Sequence, residues 1–131
     1  MSAKDEPLEV LVAEDNEVNQ IVLTGLLGHA RPQWRFTVVR DGAQAVSAWR
    51  EGAFGLILMD VRMPGVDGLQ AAAAIRAEEA AAGRPRTPIV AMTGAAMPDE
   101  IAACRAAGMD GHATKPIDLP VLLAAIEAAL G

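Results

Sequence analysis

Five polar residues offer most of the chemistry available to this sequence: Glu14, Asp15, Asp60, Thr93 and Lys115. Each lies at or just past the end of a short strand-like run. Glu14 and Asp15 follow Leu8–Ala13, Asp60 follows Leu56–Met59, Thr93 follows Pro88–Met92, and Lys115 follows Gly111–Thr114. Three carboxylates brought together repel one another strongly unless a cation sits among them. An oxygen-only site with open positions suits Mg²⁺, or Mn²⁺, which keeps several waters. A carboxylate at the centre of such a site can attack phosphorus and become an aspartyl phosphate. Lys115 would set positive charge against the phosphoryl oxygens, and the Thr93 hydroxyl would donate to one of them. That is phosphoryl transfer by positioning and electrostatics. Taken singly, each residue has a plainer use. Glu14-Asp15-Asn16 could cap a helix, Asp60 could cap a turn, and Thr93-Gly94 and Lys115-Pro116 are ordinary at strand ends. Their shared position is what singles them out.

The elements that would position them alternate along the chain. The strand-like runs are those four and Phe36–Arg40. Leu56–Met59 is continuously apolar, as expected of a strand buried on both faces. Helical spacing covers Glu17–His29, Gly42–Glu51, Asp67–Ala82, Pro98–Ala107 and Leu119–Leu130. The first helix is expected to bury Val18, Ile21, Val22 and Leu26, and the last Leu119, Leu122, Leu123, Ile126 and Leu130. Asp118 suits an N-cap with Pro120 in the first turn. Asp67-Gly68 would open the third helix, and Gly108 would end the fourth. Such alternation implies an α/β fold, a parallel sheet with helices on both faces and right-handed crossovers. In that architecture ligands bind at the carboxyl ends of the strands, where strand order reverses.

Composition narrows the functions. The chain has 131 residues, 52% of them apolar, enough for one domain with a real core. It has only two Trp and two Phe, so that core must be aliphatic and alanine-rich. A net charge of −6 argues against binding nucleic acid or an anionic membrane. Cys104 stands alone, which excludes an internal disulfide and a thiolate cluster, and reads as a small buried hydrophobe. MSAKDEPLE lacks the apolar run of a signal peptide, and no apolar stretch is long enough to span a bilayer, so a cytoplasmic setting is expected. His29 belongs near the end of the first helix, and Trp49 reads as partly buried packing. Arg84 and Arg86 read as a solvated loop.

The segments VAEDNEVNQ, LILMDVRMPGVDG, PIVAMTG and HATKPID resemble the receiver domain of bacterial two-component response regulators. The match covers nearly the whole chain, residues 1–131 as a single domain with a core of about 8–130. The resemblance implies a flavodoxin-like (βα)₅ fold with strand order 2-1-3-4-5. It makes Asp60 the phospho-acceptor and Glu14 and Asp15 the acidic pair. Asp15 and Asp60 would ligate the metal directly, Glu14 through water, and Arg62 through its backbone carbonyl. Thr93 would be the switch hydroxyl and Lys115 the phosphate-binding lysine, with Pro116 after a cis bond. His112 departs from the family pattern, which has Tyr or Phe three residues before the lysine. It stands where a rotamer switch is expected. EDNEVNQ and the long Glu78–Pro88 loop look most like receivers of hybrid histidine kinases, although the chain could also be a stand-alone member.

The leading expectation is a signalling switch phosphorylated by a histidine kinase or a histidine phosphotransfer protein. It would catalyse its own phosphorylation and autodephosphorylation without being a turnover enzyme. An effector would bind the fourth helix, fifth strand and fifth helix, and no output domain is expected within the chain. A phosphate sink or relay would use the same residues. A Mg²⁺-dependent phosphatase would need a cap and a second acid near Asp60, neither of which the sequence suggests. A docking scaffold without chemistry would be expected to lack the acceptor, the acidic pair or the lysine.

Overall fold

The computed structural model describes residues 6–94 and 97–131, so the first five residues of the N-terminal expectation lie outside it. Five strands alternate with five helices: β1 (Leu8–Ala13), α1 (Glu17–Ala30), β2 (Trp34–Val39), α2 (Gly42–Glu51), β3 (Leu56–Asp60), α3 (Gly68–Ala82), β4 (Ile89–Thr93), α4 (Pro98–Ala106), β5 (Gly111–Thr114) and α5 (Leu119–Leu130). All strand pairs are parallel, in the order β2-β1-β3-β4-β5. This is the doubly wound, flavodoxin-like arrangement, with its switch point between β1 and β3.

Alternate strand residues face opposite sides of the sheet, and this splits the core in two. Leu11, Ala13, Ile57, Met59, Ile89 and Ala91 pack with Trp49, Ile75 and Cys104 from α2, α3 and α4. Val10, Val12, Leu56, Leu58, Val90 and Met92 pack with Leu23 and Leu27 of α1 and Leu122 and Ile126 of α5. Strands covered on both sides have to be apolar throughout, which explains the continuous run in β3.

The buried face of α1 differs from the sequence expectation. Leu23 and Leu27 are buried, whereas Val18 and Ile21 are 66% and 65% exposed and Val22 is also exposed. This helix is apolar on more than one stripe. The stripe that meets Val10 and Val12 is the one that is buried. In α5, Leu122 and Ile126 are buried as expected, but Leu130 in the last turn is exposed.

Helix ends follow local chemistry. The side chains of Asn16, Asp41, Asp67 and Asp118 accept backbone N–H bonds at the starts of α1, α2, α3 and α5. Asp67 and Gln70 form a reciprocal capping box. Gly108 has φ +93°, and the following Met109 N–H reaches back to the Cys104 carbonyl, closing α4.

The segment before β4 is largely exposed, Arg86 included, as expected, but Arg84 and Thr87 tie it to α2. The Arg84 guanidinium lies 4.0 Å from the centroid of the Trp49 ring, and the Trp49 indole N–H donates to Thr87 Oγ1 at 3.1 Å. Trp49 is thus fully buried rather than partly so. Arg76 donates to Glu79 Oε1 and to the Thr87 carbonyl, each at 2.8 Å, and to Asp110 Oδ2 at 2.8 Å. Arg86 pairs with the other oxygen of Asp110 at 2.8 Å. Planar guanidinium groups, with several donors in one fork, lock this loop against the sheet.

Candidate functional site

Strand register assembles the site. Ala13 pairs with Met59, so Glu14 and Asp60 each stand one residue beyond a shared rung. Asp60 pairs with Met92, which brings Thr93 alongside. Thr93 pairs with Thr114, and Lys115 follows. Four residues distant in sequence therefore meet at one sheet edge. The Lys115 backbone N–H donates to the Thr93 carbonyl at 2.8 Å, extending the last rung. The Lys115-Pro116 peptide bond is cis.

The side chains converge. Lys115 Nζ donates to Asp60 Oδ2 at 2.7 Å and pairs with Glu14 Oε1 at 2.9 Å. Asp60 Oδ1 accepts the Arg62 backbone N–H at 3.1 Å. Glu14 Oε2 accepts the Asn16 N–H at 3.0 Å, and the Glu14 carbonyl accepts from Gln20 Nε2 at 2.6 Å. Glu14, Asp60 and Thr93 are all buried. Burial disfavours the Lys115 ammonium, but its hydrogen bonds to Asp60 and Glu14 outweigh that and hold its pKa above the ordinary lysine value.

One oxygen each from Glu14, Asp15 and Asp60 lies within 4.8 Å of the others, with Asp15 the most open of the three. At an effective dielectric constant near 20, two unit charges at that separation repel by about 3 kcal/mol. Lys115 offsets the charge on Glu14 and Asp60 only. The donor set, carboxylates alone on an open edge, fits a hard divalent cation that retains water. A cavity of about 270 Å³ lies over these residues, bordered also by Arg62, Gly94, Glu100 and Lys115. At roughly 30 Å³ per water it can take a phosphoryl group and a hydrated ion together.

Glu100 is the residue that sequence reasoning missed; it borders the cavity that Asp60 also lines. It sits in the first turn of α4 and accepts the Thr93 hydroxyl at Oε2. Its other oxygen pairs with Arg62 Nη2 at 3.2 Å. In sequence an acid in a first helical turn reads as a partner of the helix dipole. The signal available was that α4 begins only a few residues past β4. His112 lies on β5 in register with Ala91, partly buried. Cys104 is buried; burial first, and Glu100 second, push its thiol pKa up, away from nucleophilic use.

Over residues 10–127 the chain matches the family described as response regulator receiver domain. It is 44% identical over 108 residues to Sensor protein GacS of Pseudomonas syringae pv. syringae, covering 82% of this chain and 12% of that one. It is 39% identical to Virulence sensor protein BvgS of Bordetella pertussis, covering 88% of this chain and 9% of that one. Among solved structures it is similar to the receiver domain of a Pseudomonas aeruginosa sensor histidine kinase, with magnesium coordinated in that protein's active site cleft. That match has 36% identity and a TM-score of 0.82, covering 96% and 99% of the two chains. A co-crystal of the Saccharomyces cerevisiae histidine phosphotransfer protein Ypd1 with the receiver domain of Ssk1 also matches, at 30% identity and a TM-score of 0.82, covering 89% and 84%. The chain belongs to the receiver domain family of two-component and phosphorelay signalling. It spans only about a tenth of the length of the two sensor proteins. Among the described residues no helix is long and apolar enough to cross a membrane.

Proposed function

We propose that Asp60 accepts a phosphoryl group from the phosphohistidine of a kinase or phosphotransfer protein, and that this shifts the domain between two arrangements. The observation that carries the reading is the Asp60 carboxylate, buried between Lys115 and the acidic pair at the switch point of a receiver-family sheet. An Asp60 oxygen attacks phosphorus. The P–N bond breaks, and the imidazole leaves with the electron pair and takes up a proton. Lys115 then turns from the carboxylates to the new phosphoryl oxygens, and the Thr93 hydroxyl donates to one of them. Glu14, Asp15, Asp60 and the Arg62 carbonyl would hold Mg²⁺ or Mn²⁺, which supplies positive charge against the transferring group. Water attack on the aspartyl phosphate, in the same site, returns the free carboxylate.

The exposed aliphatic stripe of α1, Val18, Ile21 and Val22, begins beside the acidic loop. It supports docking of the phosphodonor there. The resemblance adds an effector surface on α4, β5 and α5, with His112 at the position of the family's aromatic switch, and the reading includes a cytoplasmic setting. A relay role, passing the group to a further histidine, is the second reading. It is favoured by the kinship with sensor kinases and a phosphotransfer complex. Transfer of label from Asp60 to a second histidine protein separates the relay from a terminal switch.

The decisive experiment is labelling with acetyl phosphate and Mg²⁺. Asp60→Asn is expected to take up none. Incorporation at the wild-type rate in that variant would show the acceptor to be elsewhere.

A further inference from the structure

Glu100 is the centre of a bridge between Thr93 and Arg62. Its Oε2 accepts the Thr93 hydroxyl, while Oε1 pairs with Arg62 at 3.2 Å. Arg62 follows β3 and Glu100 stands in the first turn of α4, and both border the cavity that Asp60 also lines. The Glu100 side chain is 14% exposed and that of Arg62 is 83% exposed, which makes the carboxylate the fixed half. An exposed ion pair of this kind is easily parted.

A hydroxyl has one proton to donate. While Thr93 gives it to Glu100, it cannot give it to a phosphoryl oxygen on Asp60. We infer that Glu100 is a latch, a positioning residue that holds the Thr93 hydroxyl in the unphosphorylated domain and releases it when the phosphoryl group arrives. This rests on Asp60 being the acceptor. The exchange swaps one anionic acceptor for another. Repulsion between the Glu100 carboxylate and the incoming dianion favours release. Arg62, freed with it, can turn to either anion. The latch thus sets how readily the phosphorylated arrangement forms, because it stabilises only the other one.

The test compares acetyl phosphate labelling rates of wild type, Glu100→Ala, Thr93→Ala and the double variant. Glu100→Ala is expected to label about tenfold faster, the scale of one hydrogen bond to a charged group. The gain is expected to vanish in the Thr93→Ala background. An unchanged rate overturns the latch. An equal gain without the Thr93 hydroxyl also overturns it, because simple charge relief would then suffice. The Thr93 methyl resonance of the unphosphorylated protein gives an independent measure. It should move in Glu100→Ala, and an unmoved signal overturns the latch whatever the labelling shows. Label on Asp60→Asn would instead sink the acceptor reading and leave the resonance to decide on Glu100.

Discussion

Gly68 lies so close to the backbone of Asp60 that a Cβ added to it would stand 2.2 Å from the Asp60 carbonyl oxygen. The Gly68 N–H also donates to the Val61 carbonyl at 3.0 Å. The start of α3 is therefore pressed against the backbone that carries the central carboxylate. Gly68→Ala must push these elements apart. The expected cost is about 1–3 kcal/mol, the usual scale of overpacking, with slower labelling of Asp60. Urea unfolding and acetyl phosphate labelling measure the two effects. Wild-type values for both would mean that the backbone yields without consequence.

Lys115→Ala leaves Glu14 and Asp60 buried without their shared cation. Breaking such a buried set costs on the order of 3–5 kcal/mol. The loss is expected in full with a chelator present and in part with saturating Mg²⁺, because a bound cation replaces the missing charge. Denaturation of wild type and variant under both conditions checks this. A loss of stability unaffected by Mg²⁺ would contradict cation binding at these carboxylates.

The pH dependence follows from the same ammonium. Its pKa is raised above lysine's ordinary 10.5 in the folded chain. A raised value means that the folded state holds the proton more tightly than the unfolded state. The stability from Lys115 is then fully present below the unfolded value and lost as pH climbs through the folded one. The difference in unfolding free energy between wild type and Lys115→Met should stay flat through neutral and mildly alkaline pH. It should shrink only above about 10.5. A difference that changed between pH of about 6 and 8 would point to another titrating group.

Ile21 tests the docking stripe. Ile21→Glu replaces an exposed side chain, so stability should change by less than about 0.5 kcal/mol. Labelling by acetyl phosphate should be untouched. Transfer from a phosphorylated histidine protein should slow by about tenfold or more, since a charge is placed in an apolar contact. Equal slowing with the small donor would locate the defect in the site itself.

Arg76→Ala removes the partner of Glu79, which is buried. The expected loss is again on the order of 3–5 kcal/mol, with Asp60 labelling unchanged at temperatures where the variant is folded. Retained stability would show that the Thr87 N–H, 2.7 Å from Glu79 Oε2, satisfies that carboxylate alone.

Much of this was legible in the residues. β1 and β5 fall on the expected positions, because Glu14-Asp15 and Lys115-Pro116 punctuate them sharply. The acidic cluster was legible because parallel strands must end at one edge. The buried stripe of α1 was not, since a helix apolar on more than one stripe does not reveal which side meets Val10 and Val12. Glu100 and Arg76 were illegible for a different reason. Each looks like an ordinary charged helical residue until tertiary packing supplies Thr93, Glu79 and Asp110 as partners.

The direction of the chain has a consequence for attachment. β1 starts, and α5 finishes, at the sheet edge opposite the acidic cleft. There Arg31, just past α1, meets Glu127 near the end of α5 at 3.0 Å. Any polypeptide continuing from either terminus would be tethered at that far edge, with the cleft turned outward. On the proposed reading, a histidine joined to the same molecule by a flexible tether would reach the cleft at high effective concentration. The cleft stays open to a separate protein as well.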